Sequence, residues 1–418
     1  MKSLDVDVAI IGGGPAGLSA AVSAKRNGAK KVLVVDRNSW LGGILPQCIH
    51  DGFGVEETGN SMTGPEYAEM YIKMAEKQKI KMLKETMVLR MSKHRKLLIV
   101  NENGLQKINA KSIVLAMGCR EKTRWNVMIP GDRPSGIYTA GVAQAFINLY
   151  NIMPGRNVLI LGSGDVGLIM ARRLTFEGAN VLGVVEILPH ASGLLRNVVQ
   201  CLDDYDIPLY LNHTVTHIKG KERLENVTIA QVDEKFNVIS GTEQKIMCDT
   251  LLLSLGLIPE NELSKNVGII LDNVTLGPVV DQNFETNITG FFACGNCLQV
   301  YDTVDVLSKG AQIAGRSASE RANGEKLEVK KTVDVVAGKG IRYVIPQKIN
   351  KKGFVHFTLR VHRPQTAVTI VLQSADKEIY KKKLPYVNPS SMIAFDVEIT
   401  DELIRSTNSI EVSINDSE

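Results

Sequence analysis

Aromatic side chains are scarce in this chain of 418 residues, 5% of the total, too few for the stacking platforms that hold single-stranded nucleic acid. A dominant charge is missing too. Lys and Arg exceed Asp and Glu by four, and the short basic runs, Lys351–Lys352 and Lys381–Lys383, read as solvated surface rather than a docking face for nucleic acid or anionic lipid. No apolar run approaches the roughly 20 residues that span a bilayer, so no integral membrane segment is expected. Met1 and Lys2 lead straight into an apolar strand, without the charged, apolar and small-residue order of a secretion leader; a cytoplasmic home is expected. The six cysteines, Cys48, Cys119, Cys201, Cys248, Cys294 and Cys297, are scattered and include one close pair, which excludes a local four-cysteine metal site and argues against a disulfide framework.

What is present is a repeat. Gly12, Gly14, Gly17, Ala21 and Asp36 recur as Gly162, Gly164, Gly167, Ala171 and Glu186, each displaced by 150 positions. The β-branched run Val6 to Ile11 predicts a buried parallel strand and Ala16 to Arg26 a helix, joined by the glycine turn. The second copy repeats the order, with a strand over Asn157 to Leu161 and a helix through Ala171 and Leu174. In such a turn the first glycine allows the bend, the second lets backbone approach a diphosphate, and the third lets helix pack on strand. The diphosphate then meets unpaired N–H groups at a helix start, around Pro15 and Ala16 in one copy and Asp165 and Val166 in the other. Asp36 and Glu186 stand 19 residues past the last glycine, where a carboxylate accepts from ribose hydroxyls, and Arg37 follows the first acid. Each copy therefore predicts an adenine dinucleotide. No arginine directly follows Glu186, so the second site is expected to prefer NAD(H) over NADP(H).

With these motifs the chain resembles the flavoprotein superfamily that includes thioredoxin reductase, glutathione reductase and NADH oxidase. Further segments carry the likeness over about residues 4 to 322: Gly42–Gly43 after Trp40–Leu41, Ser112 to Gly118 with Ala116 and Met117, Thr250 to Pro259 with Gly256, and Gly290 to Asn296 with Gly295. The resemblance implies an α/β fold with two Rossmann-like domains, the NAD domain inserted in the FAD domain: 1–120 and 267–323 for FAD, 121–266 for NAD. It places Gly42 and Gly43 beneath the flavin ring and Gly295 and Asn296 at the ribityl chain, Asn296 standing where relatives carry an acid.

Disulfide reductases of this superfamily carry a cysteine pair after the first Gly-Gly or within the NAD domain, and this chain has neither. Cys48, beside His50, has two readings, a redox thiol near the flavin or a pocket-lining residue. Cys294 and Cys297, inside the ribityl motif, read as a packing site more readily than as a dithiol.

The stretches GRNVLILGSGDVGLIMARRL, VVQCLDDYDIPL, LSLGLIPENEL and FFACGN are similar to a narrower branch, flavoprotein subunits found with FAD-dependent glycerol-3-phosphate dehydrogenase-like proteins and related to subunits of opine and amine dehydrogenases. That likeness implies an electron-transfer subunit with a partner dehydrogenase. The alternative is a stand-alone NADH-dependent reductase or oxidase acting on oxygen, peroxide or a disulfide. A homo-oligomer is compatible with either.

From Gly324 the glycine-rich pattern stops and short alternating runs begin, Val333–Val336, Ile341–Ile345, Phe354–Val361, Ala367–Leu372 and Ile410–Ile414, which predict a small all-β sandwich over 324–418 that docks the partner.

Overall fold

The computed structural model describes residues 2–325, 331–375 and 377–416. Its backbone forms two compact units, one made of Met1–Cys119 with Pro259–Glu418, the other of Arg120–Ile258.

In the first unit the apolar strand predicted from its β-branched residues runs over Lys2–Ile11 and lies at the centre of a sheet. Val32–Val35 pairs parallel to it on one side and Gly104–Leu115 on the other. Lys81–Leu83 extends the parallel order beyond Val32–Val35. The long strand Gly104–Leu115 changes partners along its length. Its first half pairs antiparallel with Lys96–Asn101, and its last residues pair parallel with Phe291–Ala293. Strands buried on both faces read as continuous apolar runs, which is the pattern of Val32–Val35 and of Ile113–Leu115.

Two helices crossing at close range cover this sheet. Pro15–Arg26 and Val304–Ala322 meet through small residues: the Ser19 and Ser23 hydroxyls donate to the carbonyls of Ser308 and Gln312, and a Cβ on Gly315 would lie 2.1 Å from the Ala20 carbonyl oxygen. A further helix spans Gly64–Lys77, started by the Thr63/Glu66 capping box that the sequence spacing already spells, with Tyr67 and Tyr71 buried.

The second unit is built on Leu209–Tyr210, Asn180–Val185, Asn157–Leu161, Thr250–Leu253 and Ile137–Thr139, in that spatial order and all parallel. A separate antiparallel sheet, His213–Gly220, Leu224–Gln231 and Gln244–Met247, packs Val215, Ile218, Val227 and Ile229 against Leu159, Leu161 and Leu251.

The C-terminal residues form two β-sheets sharing one core. One contains Val333–Ala337, Gln365–Ser374, Lys377–Val387 and Ser409–Asp416 with the short Lys348–Ile349; the other contains Ile341–Ile345, Gly353–Val361 and Ile393–Ile399. Val335, Phe357, Leu359, Ile370, Phe395 and Val412 from both sheets meet inside. Three strands were not among the predicted runs, the first being the two-residue Lys348–Ile349, too short to show a period. Lys377–Val387 is the edge strand that carries Lys381–Lys383; Lys381 and Lys383 are exposed, Lys382 lies half-buried over the Phe395 ring, and three charges in a row mask the strand's period. Ile393–Ile399 alternates strictly and is buried at every second residue. Among the described residues no helix is long and apolar enough to cross a membrane.

Candidate functional site

The first glycine loop is shaped by what surrounds it. Gly12 has φ +109°, and a Cβ there would lie 2.2 Å from the Ala116 carbonyl oxygen, so both backbone conformation and space demand glycine. A Cβ on Gly17 would lie 1.8 Å from the Gly12 carbonyl oxygen, which fixes the helix against the loop. Gly14 caps the helix and meets only Gly43, at ordinary contact distance. The helix start carries no acid and no side-chain cap, so the N–H groups of its first turn, at Ala16 and Gly17, lack intrahelical partners.

Segments far apart in sequence converge on this loop. Gly42 N donates to the Gly13 carbonyl at 2.8 Å, and a Cβ on Gly43 would lie 3.0 Å from the Gly14 Cα. Gly295 sits against the helix start, where a Cβ would come within 2.5 Å of the Ala16 Cβ. The Asn296 side-chain oxygen accepts from Tyr301 N at 3.1 Å, and its amide points at Cys119 Sγ at 3.5 Å. Gly118, at φ +72°, has open space about it, and Arg37 is exposed.

Asp36 is buried and turned toward the loop. One carboxylate oxygen accepts from Gly13 N at 2.6 Å and the other from Asn38 N at 2.8 Å. Glu186 does the same in the other unit, accepting from Ser163 N and Leu188 N, both at 3.0 Å. These bonds are displaced by the same 150 positions as the glycines. The strand-to-loop bond repeats as well, Gly12 N to the Val35 carbonyl and Gly162 N to the Val185 carbonyl.

The second loop differs in its lining. A Cβ on Gly162 would lie 2.2 Å from the Ser254 carbonyl oxygen, and Ser254 Oγ accepts from Gly167 N at 3.2 Å. Gly256, two residues on, is exposed with open space about it. The Ser163 and Ser192 hydroxyls both donate to Glu186, at 2.5 and 2.9 Å. Asp165, in the first helical turn between Gly164 and Val166, accepts from Leu194 N at 2.8 Å and Asn197 Nδ2 at 2.6 Å. The segment through Ser192 to Asn197 is thus tied to the loop. Spacing alone identifies neither Ser163 nor Ser192, since serine is common in turns for backbone reasons.

The residues fit adenine dinucleotides. Each loop has glycines where no side chain fits, a helix start facing it, and a buried acid beside it.

None of the six thiols is in a disulfide. Burial pushes the Cys48 thiol up to about 12, so it is protonated at neutral pH and a poor nucleophile. Cys294 and Cys297 are fully buried; burial raises Cys294 well above the usual thiol range and Cys297 to about 11. The Cys297 thiol donates to the carbonyls of Leu115 and Cys294, both at 3.2 Å, which makes it part of the packing behind Gly295.

Comparison with known proteins bears on this geometry. A family model described as pyridine nucleotide-disulphide oxidoreductase matches residues 6–318. The chain is 26% identical over 288 residues to hydrogen cyanide synthase subunit HcnB of Pseudomonas protegens, covering 64% of this chain and 60% of that protein. It is 26% identical over 337 residues to one of the opine oxidase subunits of Agrobacterium tumefaciens, covering 75% of this chain and 63% of that protein. Less than two thirds of each relative's length is therefore spanned. Among solved structures, thioredoxin reductase of T. acidophilum shares the fold, with a TM-score of 0.64 at 24% identity over 77% of this chain and 99% of that one.

Proposed function

The chain belongs to the pyridine nucleotide-disulphide oxidoreductase family, flavoprotein oxidoreductases that typically bind FAD and NAD(P)H, and from that premise we propose that it holds FAD on the Gly12–Gly17 loop and NAD(H) on the Gly162–Gly167 loop and passes a hydride between them. The repeated pair of carboxylate contacts, on Asp36 and on Glu186, carries this reading, because it keeps each acid beside its glycine loop as a ribose acceptor. Bound flavin supplies a ring that accepts a hydride from reduced nicotinamide.

The chain's own residues bind and orient. The Ala16 and Gly17 N–H groups face the diphosphate, Asp36 the ribose, and Gly42 and Gly43 leave room for a flat ring close to backbone. Gly295 and the Asn296 amide take the ribityl chain. In the other unit Gly164, Val166 and Gly167 form the turn, and Glu186 repels a 2′-phosphate, which favours NAD(H).

In this reading the chain is the electron-transfer subunit of a dehydrogenase assembly. The partner is an FAD-dependent dehydrogenase that oxidises an organic substrate, glycerol 3-phosphate being the candidate. Support comes from the two relatives named as subunits, of hydrogen cyanide synthase and of opine oxidase. A stand-alone disulfide or peroxide reductase draws no support from Cys48, Cys294 or Cys297, whose thiols are raised by burial and protonated.

Anaerobic titration of the purified chain with NADH, then NADPH, tests the hydride step: NADH bleaches the flavin absorbance and NADPH does so far less. Flavin that stays oxidised under excess NADH would sink the proposal. Recovery of the chain from its own cells without a second dehydrogenase subunit would remove the assembly reading alone.

A further inference from the structure

The strand Gly353–Val361 is buried on both faces, although every second residue of its central part is polar. Val355, Phe357, Leu359 and Val361 enter the sandwich core. His356, Thr358 and Arg360, on the opposite face, are 5%, 1% and 9% exposed, so this face is covered too. What covers it is the helix Val304–Ala322 and the segment leading into it. His356 Nδ1 pairs with Asp396, which accepts from Lys309 Nζ of the helix at 2.7 Å. Gln299 Nε2 donates to Thr358 Oγ1 at 2.7 Å. Arg360 Nη2 donates to the Val300 carbonyl at 3.1 Å and to the Asp302 carboxylate, which also accepts from Met392 N. The other guanidinium N–H groups donate to Tyr343 Oη at 3.1 Å and the Pro389 carbonyl at 2.8 Å.

A guanidinium and a carboxylate whose side chains are 10% and 12% exposed are an expensive way to join two surfaces; apolar residues of similar volume attach them at no greater cost. A guanidinium whose N–H groups reach Asp302, the Val300 and Pro389 carbonyls and Tyr343 Oη does what an apolar contact does not, which is to fix position along the chain direction. The segment it fixes begins at Asn296, whose side-chain oxygen is tied to Tyr301 N within that same segment, one residue after Gly295 rests on Ala16.

We propose that the C-terminal sandwich is a clamp on the flavin-holding segment, with Arg360 as a positioning residue that sets Gly295 and Asn296 against the Gly12–Gly17 loop. The inference rests on the assignment of FAD to that loop. Its consequence is that the sandwich belongs to the cofactor site and is not an appended docking module.

The test uses the full-length chain and three variants: Arg360→Ala, the double variant Arg360→Met with Asp302→Leu, and Thr358→Val. The readouts are FAD dissociation, followed by the fluorescence of released flavin, the visible spectrum of flavin that stays bound, and thermal unfolding. Arg360→Ala lowers both stability and FAD affinity. The double variant, which leaves no unpaired charge, unfolds near the wild-type temperature yet binds FAD about tenfold more weakly, the equivalent of about 1.4 kcal/mol, with a shifted flavin spectrum. Thr358→Val shows a smaller loss in the same direction. A double variant that folds and holds FAD with wild-type affinity and spectrum overturns the clamp, as does wild-type FAD binding by Thr358→Val should the double variant fail to fold. A wild-type chain that binds no FAD at all overturns the cofactor assignment itself.

Discussion

The two glycine loops share one backbone and differ in how much of it is left for a ligand. At the first, the helix start is free of acid, Asp36 is held only by the backbone N–H groups of Gly13 and Asn38, and Gly42, Gly43 and Gly295 close in as backbone rather than as side chains. At the second, Asp165 places a carboxylate in the first helical turn, Ser254 takes the Gly167 N–H, and two serine hydroxyls stand on Glu186 where ribose hydroxyls would donate. An anion entering the first loop finds orphan donors; one entering the second displaces internal hydrogen bonds first. Each displaced bond subtracts about 0.5–1.5 kcal/mol from the net gain of binding. The lesson is that one backbone, used twice, is left open or occupied by a handful of side chains around the turn.

The largest contrast is expected at the third glycine of each loop. In Gly17→Ala the new methyl meets a backbone oxygen at 1.8 Å, whereas in Gly167→Ala it meets chiefly the Ser254 side chain, at 2.7 and 2.8 Å. Gly17→Ala should cost about 3 kcal/mol and yield protein without flavin, while Gly167→Ala costs roughly 1 kcal/mol and keeps it. Denaturant unfolding and the flavin-to-protein absorbance ratio measure both, and equal penalties would break the comparison.

A smaller contrast separates the acids. Asp36→Ala strands the Gly13 and Asn38 N–H groups, a loss of about 1–3 kcal/mol that flavin retention should register. Glu186→Ala strands the Ser163 and Leu188 N–H groups in the same way, a similar loss of about 1–3 kcal/mol, and lets Ser163 and Ser192, already 3.1 Å apart, pair with each other, but here the NADH-over-NADPH preference collapses while flavin is retained. Parallel unfolding curves and nucleotide titrations decide this, and an unchanged preference would count against Glu186 as the ribose acceptor.

The smallest effect belongs to Ser192→Ala. Removing one of the two hydroxyls on Glu186 frees an acceptor and should tighten NADH binding by roughly two- to fivefold, about 0.5–1 kcal/mol, with no change in flavin content. Weaker NADH binding in this variant would mean that Ser192 assists the nucleotide rather than competing with it.

Legibility in the sequence followed the range of the interaction. Strand, turn, helix and acid of each copy were readable because their causes lie within a few residues: a β-branched run, glycine where backbone crowds, a carboxylate at a strand end. The capping box at Thr63 and Glu66 was readable for the same reason. The clamp on Asp302 left no such trace, since Arg360 in an alternating strand resembles any solvent-facing arginine until the opposite face is found covered. That the sandwich packs its His356–Thr358–Arg360 face on the helix Val304–Ala322 and the segment before it was not legible for the same reason.

By itself the sequence determined that this chain builds the same strand–glycine turn–helix unit twice and a β-rich segment after it, because steric demands on glycine and the periods of helix and strand are local. Only the tertiary structure decided which of the two turns stays open, and that Arg360 holds the segment beginning at Asn296. Both outcomes depend on which polar groups lose water together, and that is settled by residues such as Ser192 and Glu186, or Asp302 and Arg360, being packed against one another.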